Sequence, residues 1–173
     1  MSSSKALIDD PADADEEELS INDLYLIFHL DREDYGIGIR NVIEIVGKQT
    51  ITGVPNMPAY VRGVINLRGK VIPVIDVRTR FGMPFREYDD RTCSIVINVG
   101  ELQFGLIVDM VDEVIAIDDD KISLPPAWAD ATGASGFIKG LGRINGDDRV
   151  KLLLKVECLF KDEEIVQLAA AEA

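Results

Sequence analysis

Apolar residues along this chain fall in short runs broken by polar or Gly/Pro clusters, and within the runs the dominant period is two. Leu24 to Leu30 (LYLIFHL) reads as a strand, Asp31-Arg32-Glu33-Asp34 as a polar turn, and Tyr35 to Ile39 as the return strand. Val42–Val46 and Thr50–Val54 are two further short β runs, stopped by Pro55 and Pro58. Tyr60–Leu67 and Lys70–Val77 flank the pair Arg68-Gly69, and a helical turn follows over 78–81. After a polar link (REYDDR, 86–91), Thr92–Val99 and Leu102–Val108 form a hairpin around Gly100-Glu101, and Val111–Ile117 ends at three aspartates. Residues 123–136 are rich in Pro, Ala and Gly and read as a long loop, with Trp128 packing as a lid. Phe137–Ile144 and Arg149–Val156 are strands joined by Asn-Gly-Asp-Asp, and residues 162–172 suit a short C-terminal helix.

So many short strands with turn signals between them predict an all-β protein of small barrels rather than a parallel sheet. An internal repeat predicts two of them. YGIGIRNVIEIV (35–46) aligns with FGLIVDMVDEVI (104–115), setting Tyr35 on Phe104, Val42 on Val111 and Glu44 on Glu113. Further on, Gly63 falls on Gly140, Gly69 on Gly146 and Val77 on Val156. The chain therefore reads as a duplicated β unit, roughly 24–88 and 89–160, its matched glycines at expected turns or bulges.

Composition narrows the function. Hydrophobic residues make up 47% of the 173, enough for a core. The net charge of -13 is partly local: residues 1–23 hold eight acids against Lys5. Residues 1 to about 20 are polar, acidic and almost free of aromatics, the signature of a disordered tail. An acidic body without a basic patch argues against nucleic acid. The N-terminus has no apolar signal core, and no apolar run approaches the ~18–20 residues of a membrane span. Cys93 and Cys158 sit apart in apolar strand contexts, as buried thiols of a reducing cytoplasm do.

Candidate chemistry is sparse. One His and two distant Cys make no metal cluster, so no metal and no cofactor are expected. His29 reads as a strand residue on a solvated face. There is no GxSxG, the Gly140–Asn145 stretch breaks the dinucleotide pattern, and Asp118–Asp120 lacks the spacing of a calcium loop. Glu44 and Glu113 occupy matched positions, and a carboxylate pair doing acid–base work is the enzymatic alternative. The seam between two barrels, by contrast, offers Val42 and Val111 as walls of a groove for an amphipathic helix, which points to a binding module and not an enzyme.

FHLDREDYGIGIRNVIE (28–44), NLRGKVIPVIDVR (66–78), FGLIVDMVDEV (104–114) and GLGRI (140–144) together resemble the CheW family of bacterial chemotaxis coupling proteins, over about residues 22–160. The resemblance implies two tandem five-stranded SH3-like β-barrels packed together, flanked by the acidic tail and, over 161–173, the C-terminal helix. It implies a cytoplasmic, non-enzymatic adaptor that joins the cytoplasmic tips of methyl-accepting chemoreceptors to the regulatory domain of the histidine kinase CheA. A coupling protein of another chemosensory system, controlling pili or development, is the runner-up. The kinase itself or a CheV-type protein would add segments that this chain lacks, and the chain is expected to be complete. Carried over residue by residue, the receptor groove would fall near Ile39, Val42, Cys93, Val111 and Val114, with Glu44 and Arg68 as polar positions. The kinase-facing end would fall near Ile51, Thr52, Arg62 and Gly63. For the apolar set, core packing is an equally good account, and for Gly63 a bulge requirement is.

Arg68-Gly69 reads most simply as a hairpin tip, Gly69 supplying a positive φ. Gly146 repeats the glycine, but Asn145 stands where the arginine would be, so the arginine is particular to one copy. Its expected role is to reach into the region between the barrels and position partner groups by charged hydrogen bonds.

Overall fold

The computed structural model describes residues 20–125, 136–144, 146–160 and 167. The expected tail (up to residue 19), the Trp128 loop, Asn145 and nearly all of the C-terminal helix lie outside the described residues. The described residues hold eleven strands: β1 (Leu24–Leu30), β2 (Glu33–Gly38), β3 (Val42–Val46), β4 (Val61–Leu67), β5 (Lys70–Asp76), β6 (Cys93–Val99), β7 (Leu102–Val108), β8 (Met110–Ala116), β9 (Ile122–Ser123), β10 (Ile138–Gly142) and β11 (Lys151–Leu154). Helix among the described residues is confined to short turns such as Val77–Arg80. The protein is all-β, and its strands form two sheets, ordered β8-β1-β2-β11-β10-β9 and β3-β6-β7-β5-β4.

The duplication is visible in the topology, because the second order repeats the first five strands of the first with each replaced by its repeat counterpart, and the isolated Thr52–Val64 bridge stands where β9 pairs with β10. The sheets do not divide at residues 88 and 89, however. β1 and β2 pair with β8 and β11, while β3 and β5 pair with β6 and β7, so each sheet takes strands from both halves. The exchange happens where β2 leads through the turn Ile39–Asn41 into β3, and where β7 leads into β8. In both copies the third strand crosses to the neighbouring sheet.

This exchange explains the uninterrupted apolar sequence of the central strands. Along β1, Tyr25 and Ile27 join a core within the six-stranded sheet, while Leu26, Phe28 and Leu30 join the largest core, which also holds Ile95, Ile97, Phe104 and Leu106 of the other sheet. β6 splits the same way, with Val96 in the core of the five-stranded sheet. Burying one face only, the pattern expected of a small barrel, thus holds for β3, β4 and β10, while the central strands β1, β2, β6 and β7 bury both faces. The edge strands β3 and β8 leave Ile43, Ile45 and Val114 exposed.

Three local expectations change. The run Thr50–Val54 reduces to a single bridge, Thr52 to Val64, next to the bulge that β4 makes at Gly63 in its pairing with β5. Asp34 is not in a turn but on β2, only 3% exposed. It accepts from Lys151 Nζ at 2.7 Å and from Arg149 at 2.8 Å, and His29 Nδ1 lies 2.8 Å away. His29 is accordingly not a free surface residue: its Nε2 is 3.0 Å from Asp112, so one ring ties β1 to β2 and β8. Burial alone would push the Asp34 carboxyl up, but the surrounding cations outweigh it and hold the carboxyl below its ordinary range.

Candidate functional site: an inter-sheet groove and a closing seam

The turn Ile39–Asn41 and the first residues of β3 and β8 lie beside the largest core. Ile39, Val42 and Val111 are half-buried and pack against it. Cross-strand partners share a face. Val42 lies opposite Ile97 and Val111 opposite Phe28, so both point between the sheets. Cys93 begins β6 in one sheet, and its thiol lies beside the backbone of Val111 in the other. Burial pushes that thiol up, and the Val111 backbone pulls the other way. Val114, opposite Leu26, is 47% exposed on the same side. Ile45 is its repeat counterpart, opposite Ile95 and 42% exposed. Sequence reading passed over Ile45, although the alignment of 35–46 with 104–115 already set it on Val114.

Glu44 and Arg68 come together, but not in this groove. Glu44 lies opposite Val96, whose side chain belongs to the core within the five-stranded sheet, so it faces away from Val42. The Arg68 guanidinium grips its carboxylate with two bonds, Nη1 to Oε1 at 2.6 Å and Nη2 to Oε2 at 2.9 Å. The arginine therefore does not enter the space between the sheets. It joins the tip of β4–β5 to β3, the two opposite edges of one sheet. The hydrogen bonds from Arg68 hold the Glu44 carboxyl below its ordinary range. That is the wrong direction for a general acid, and Glu113 lies exposed on β8 in the other sheet. The carboxylate pair is not assembled.

The hairpin tip explains the motif NLRGxxxPxxD. Leu67 pairs with Lys70, leaving Arg68 and Gly69 as a two-residue loop with φ of 54° and 83°. Positive φ at both positions marks a type I′ turn, whose twist suits a hairpin. Gly69 N–H donates to Asn66 Oδ1 at 3.0 Å. Asp76 Oδ1 accepts from Thr79 N–H, capping the turn that ends β5, and Asp76 Oδ2 accepts from the Tyr88 hydroxyl at 2.7 Å.

The second set lines the same seam. Ile51 packs on the core of the five-stranded sheet. Thr52 is exposed and exchanges two backbone bonds with Val64, both 2.9 Å. Arg62 is exposed, its guanidinium 4.7 Å from the centre of the Phe85 ring, and Phe85 meets Tyr88 edge-on at 5.4 Å. Gly63 is buried beneath Thr52. Phe85 and Tyr88 were missed because they sit at or in a link read as merely polar; two aromatics spaced among arginines and acids were the available signal.

Among the described residues no group of three or more His, Cys, Asp or Glu can hold a metal, and no helix is long and apolar enough to cross a membrane. What the surface offers is an apolar groove and a polar–aromatic seam.

The CheW-like domain family matches residues 24–164. The chain is similar to the chemotaxis protein CheW of Klebsiella aerogenes, at 38% identity over 82% of this chain and 83% of that one. It is similar to the CheW of Treponema pallidum at 34% identity, over 82% and 84%. The crystal structure of the scaffolding protein TtCheW from Thermoanaerobacter tengcongensis superposes with a TM-score of 0.73 at 35% identity, covering 82% of this chain and 94% of that one. The chain belongs to the CheW family of chemotaxis scaffold proteins.

Proposed function

We propose that this chain is a non-enzymatic adaptor that couples chemoreceptor cytoplasmic tips to the histidine kinase CheA. The observation that carries the reading is that Ile39, Val42 and Val111, from both sheets, pack half-buried against one core, with Cys93 beside the Val111 backbone. An apolar cleft of that kind suits one face of a receptor helix. The seam of Ile51, Thr52, Arg62 and Gly63 is the kinase-facing end. Each sheet folds as an SH3-like barrel: in one, the Glu44–Arg68 pair ties β3 to the tip of the β4–β5 hairpin and Thr52 bridges to β4, and in the other β9, which follows β8, pairs with β10. The adaptor works in the cytoplasm, reaching the membrane only through its receptors.

The test is a titration of the purified protein with a receptor signalling-tip fragment and, separately, with a CheA regulatory domain. Saturable binding to both, with ternary assembly, is expected; binding to neither by folded protein would overturn the reading. Arg68→Ala is expected to weaken the kinase complex and spare the receptor complex, since the arginine stands on the seam. Arg68→Lys should rescue only partly, because a point charge cannot reproduce two parallel bonds. Equal affinities in all three proteins would remove Arg68 from the interface.

A further inference from the structure

The turn between β1 and β2 borders a cleft of about 490 Å³ lined by His29, Asp31, Arg32, Arg86, Arg91, Asp109, Met110 and Arg149. Four guanidinium groups face two carboxylates there, in a chain whose net charge is -13. The pairing inside the cleft is uneven. Asp109 is taken by buried Arg78 at 2.8 Å and by Arg86 at 3.1 Å, Asp31 by Arg78 at 2.7 Å, and Arg149 by Asp34 at 2.8 Å. Asp112 stands nearby on His29. The acids of the cleft are thus already shared among its cations. Arg32 and Arg91 are exposed and have no ion-pair partner among the described residues.

The cleft is continuous with the groove. Arg91 accepts a hydrogen bond on its carbonyl from the Cys93 thiol at 3.3 Å, and Met110 directly precedes Val111. Cys93 and Val111 are the two residues that meet across the sheets. A helix seated on them therefore runs toward a floor of arginine, where one of its carboxylates is drawn by the two unpaired guanidiniums of Arg32 and Arg91.

We propose that this arginine cleft takes carboxylate side chains of the same receptor segment that occupies the groove, supplying a charged contact beside the apolar one. The proposal rests on the groove reading given above. It assigns Arg32 and Arg91 as its recognition residues; Arg78, Arg86 and Arg149 hold the cleft in shape through Asp31, Asp34 and Asp109.

The experiment titrates the full chain with a receptor signalling-tip fragment at low and at about 0.3 M salt, where exposed charges beyond ~6 Å are largely screened. It compares the unaltered protein with Arg32→Glu/Arg91→Glu, and with Val114→Asp as a groove variant on an exposed residue. The double charge reversal is expected to weaken receptor binding about tenfold or more at low salt, the gap closing at high salt, while CheA binding stays the same. Unchanged affinity and salt dependence in the double variant, with binding lost in Val114→Asp, would overturn the cleft and leave the groove standing. No binding by the unaltered protein would overturn both. A fourth protein changes the acids between Asp9 and Glu18 to amides. If the arginine reversal tightens receptor binding as much as the amide changes do, the cleft serves the chain's own acids and the proposal fails.

Discussion

Gly63 and Arg68 stand on one hairpin and carry opposite kinds of constraint. Gly63 has φ of 140°, and a methyl group at its Cα would lie 2.0 Å from the Thr52 carbonyl oxygen, an atom fixed by its bond to Val64. Its counterpart Gly140 would drive a methyl within 2.7 Å of the Ser123 carbonyl, at the matching bulge on β10. The glycine is thus a folding requirement in both copies. Gly63→Ala is expected to cost roughly 3 kcal/mol from backbone strain and overpacking together. In a chain of this size that lowers Tm by about 6–12 °C, measurable by calorimetry. A Tm within 2 °C of the parent would show that the seam yields easily. Loss of kinase affinity in that variant would not identify a contact; Thr52→Asp, on an exposed side chain, separates contact from fold. Arg68, by contrast, adopts φ of 54° without being glycine, a conformation that disfavours L side chains. Its side chain is 72% exposed, and exposed pairs add little to stability. The strain and the bidentate geometry fit a residue placed to present a surface.

At the scale of elements, Asp34 joins β2 to β11 and, through His29, to β1 and β8. Asp34→Asn leaves Lys151, only 7% exposed, with Asp147 alone, and Arg149 without its partner. Breaking a buried pair this way costs about 3–5 kcal/mol. The pH dependence follows from the two shifts. The Asp34 carboxyl is held below its ordinary value, so its contribution is present above that value, near 4, and is lost as pH falls through the folded-state value beneath it. Burial alone would lower Lys151, but Asp34 and Asp147 raise it above 10.5, so its contribution persists up to that pH and fades beyond. Urea unfolding should therefore show a gap between parent and Asp34→Asn that is level from about pH 5 to 9 and narrows below about pH 4. A gap unchanged down to pH 2.5 would assign the loss to packing instead of charge. These elements also show what a single sequence discloses. The boundaries of β1 and of the β6–β7 hairpin were legible because apolar runs and turn residues are local signals. The Asp34 cluster was not: an acid between Glu33 and Tyr35 looks like a turn until β11 arrives beside it from more than a hundred residues away. The apolar groove was legible through the repeat, which set Val42 on Val111. The seam was only half legible, since the Glu44–Arg68 pair depends on the sheet bringing its edges together.

The exchange of β3 and β8 decides how the whole molecule holds together. The repeat suggested two units meeting at residues 88 and 89, but no sheet is confined to either. A chain ending at Tyr88 would keep the β1–β2 hairpin without β8 and β11, and β3 and the β4–β5 hairpin without β6 and β7. Its Phe28 and Ile97's partner strand β3 would both lose the surfaces that bury them. Isolated hairpins are marginal in water, so neither half is expected to fold alone. Fragments 1–88 and 89–173 should each give the circular dichroism of an unfolded chain, and on mixing should recover β structure with one cooperative thermal transition. A stably folded 1–88 fragment would mean that the sheets close without exchange. The same interleaving bears on signalling. Groove and seam share β3, so a partner that tightens one acts directly on a strand of the other. The fragment complex, able to dissociate, is the form in which such coupling can be weighed: receptor tip binding should raise the transition temperature of the mixed fragments more than that of the intact chain. The linked free energy then also offsets the entropy of bringing two chains together, a cost that the continuous chain does not meet.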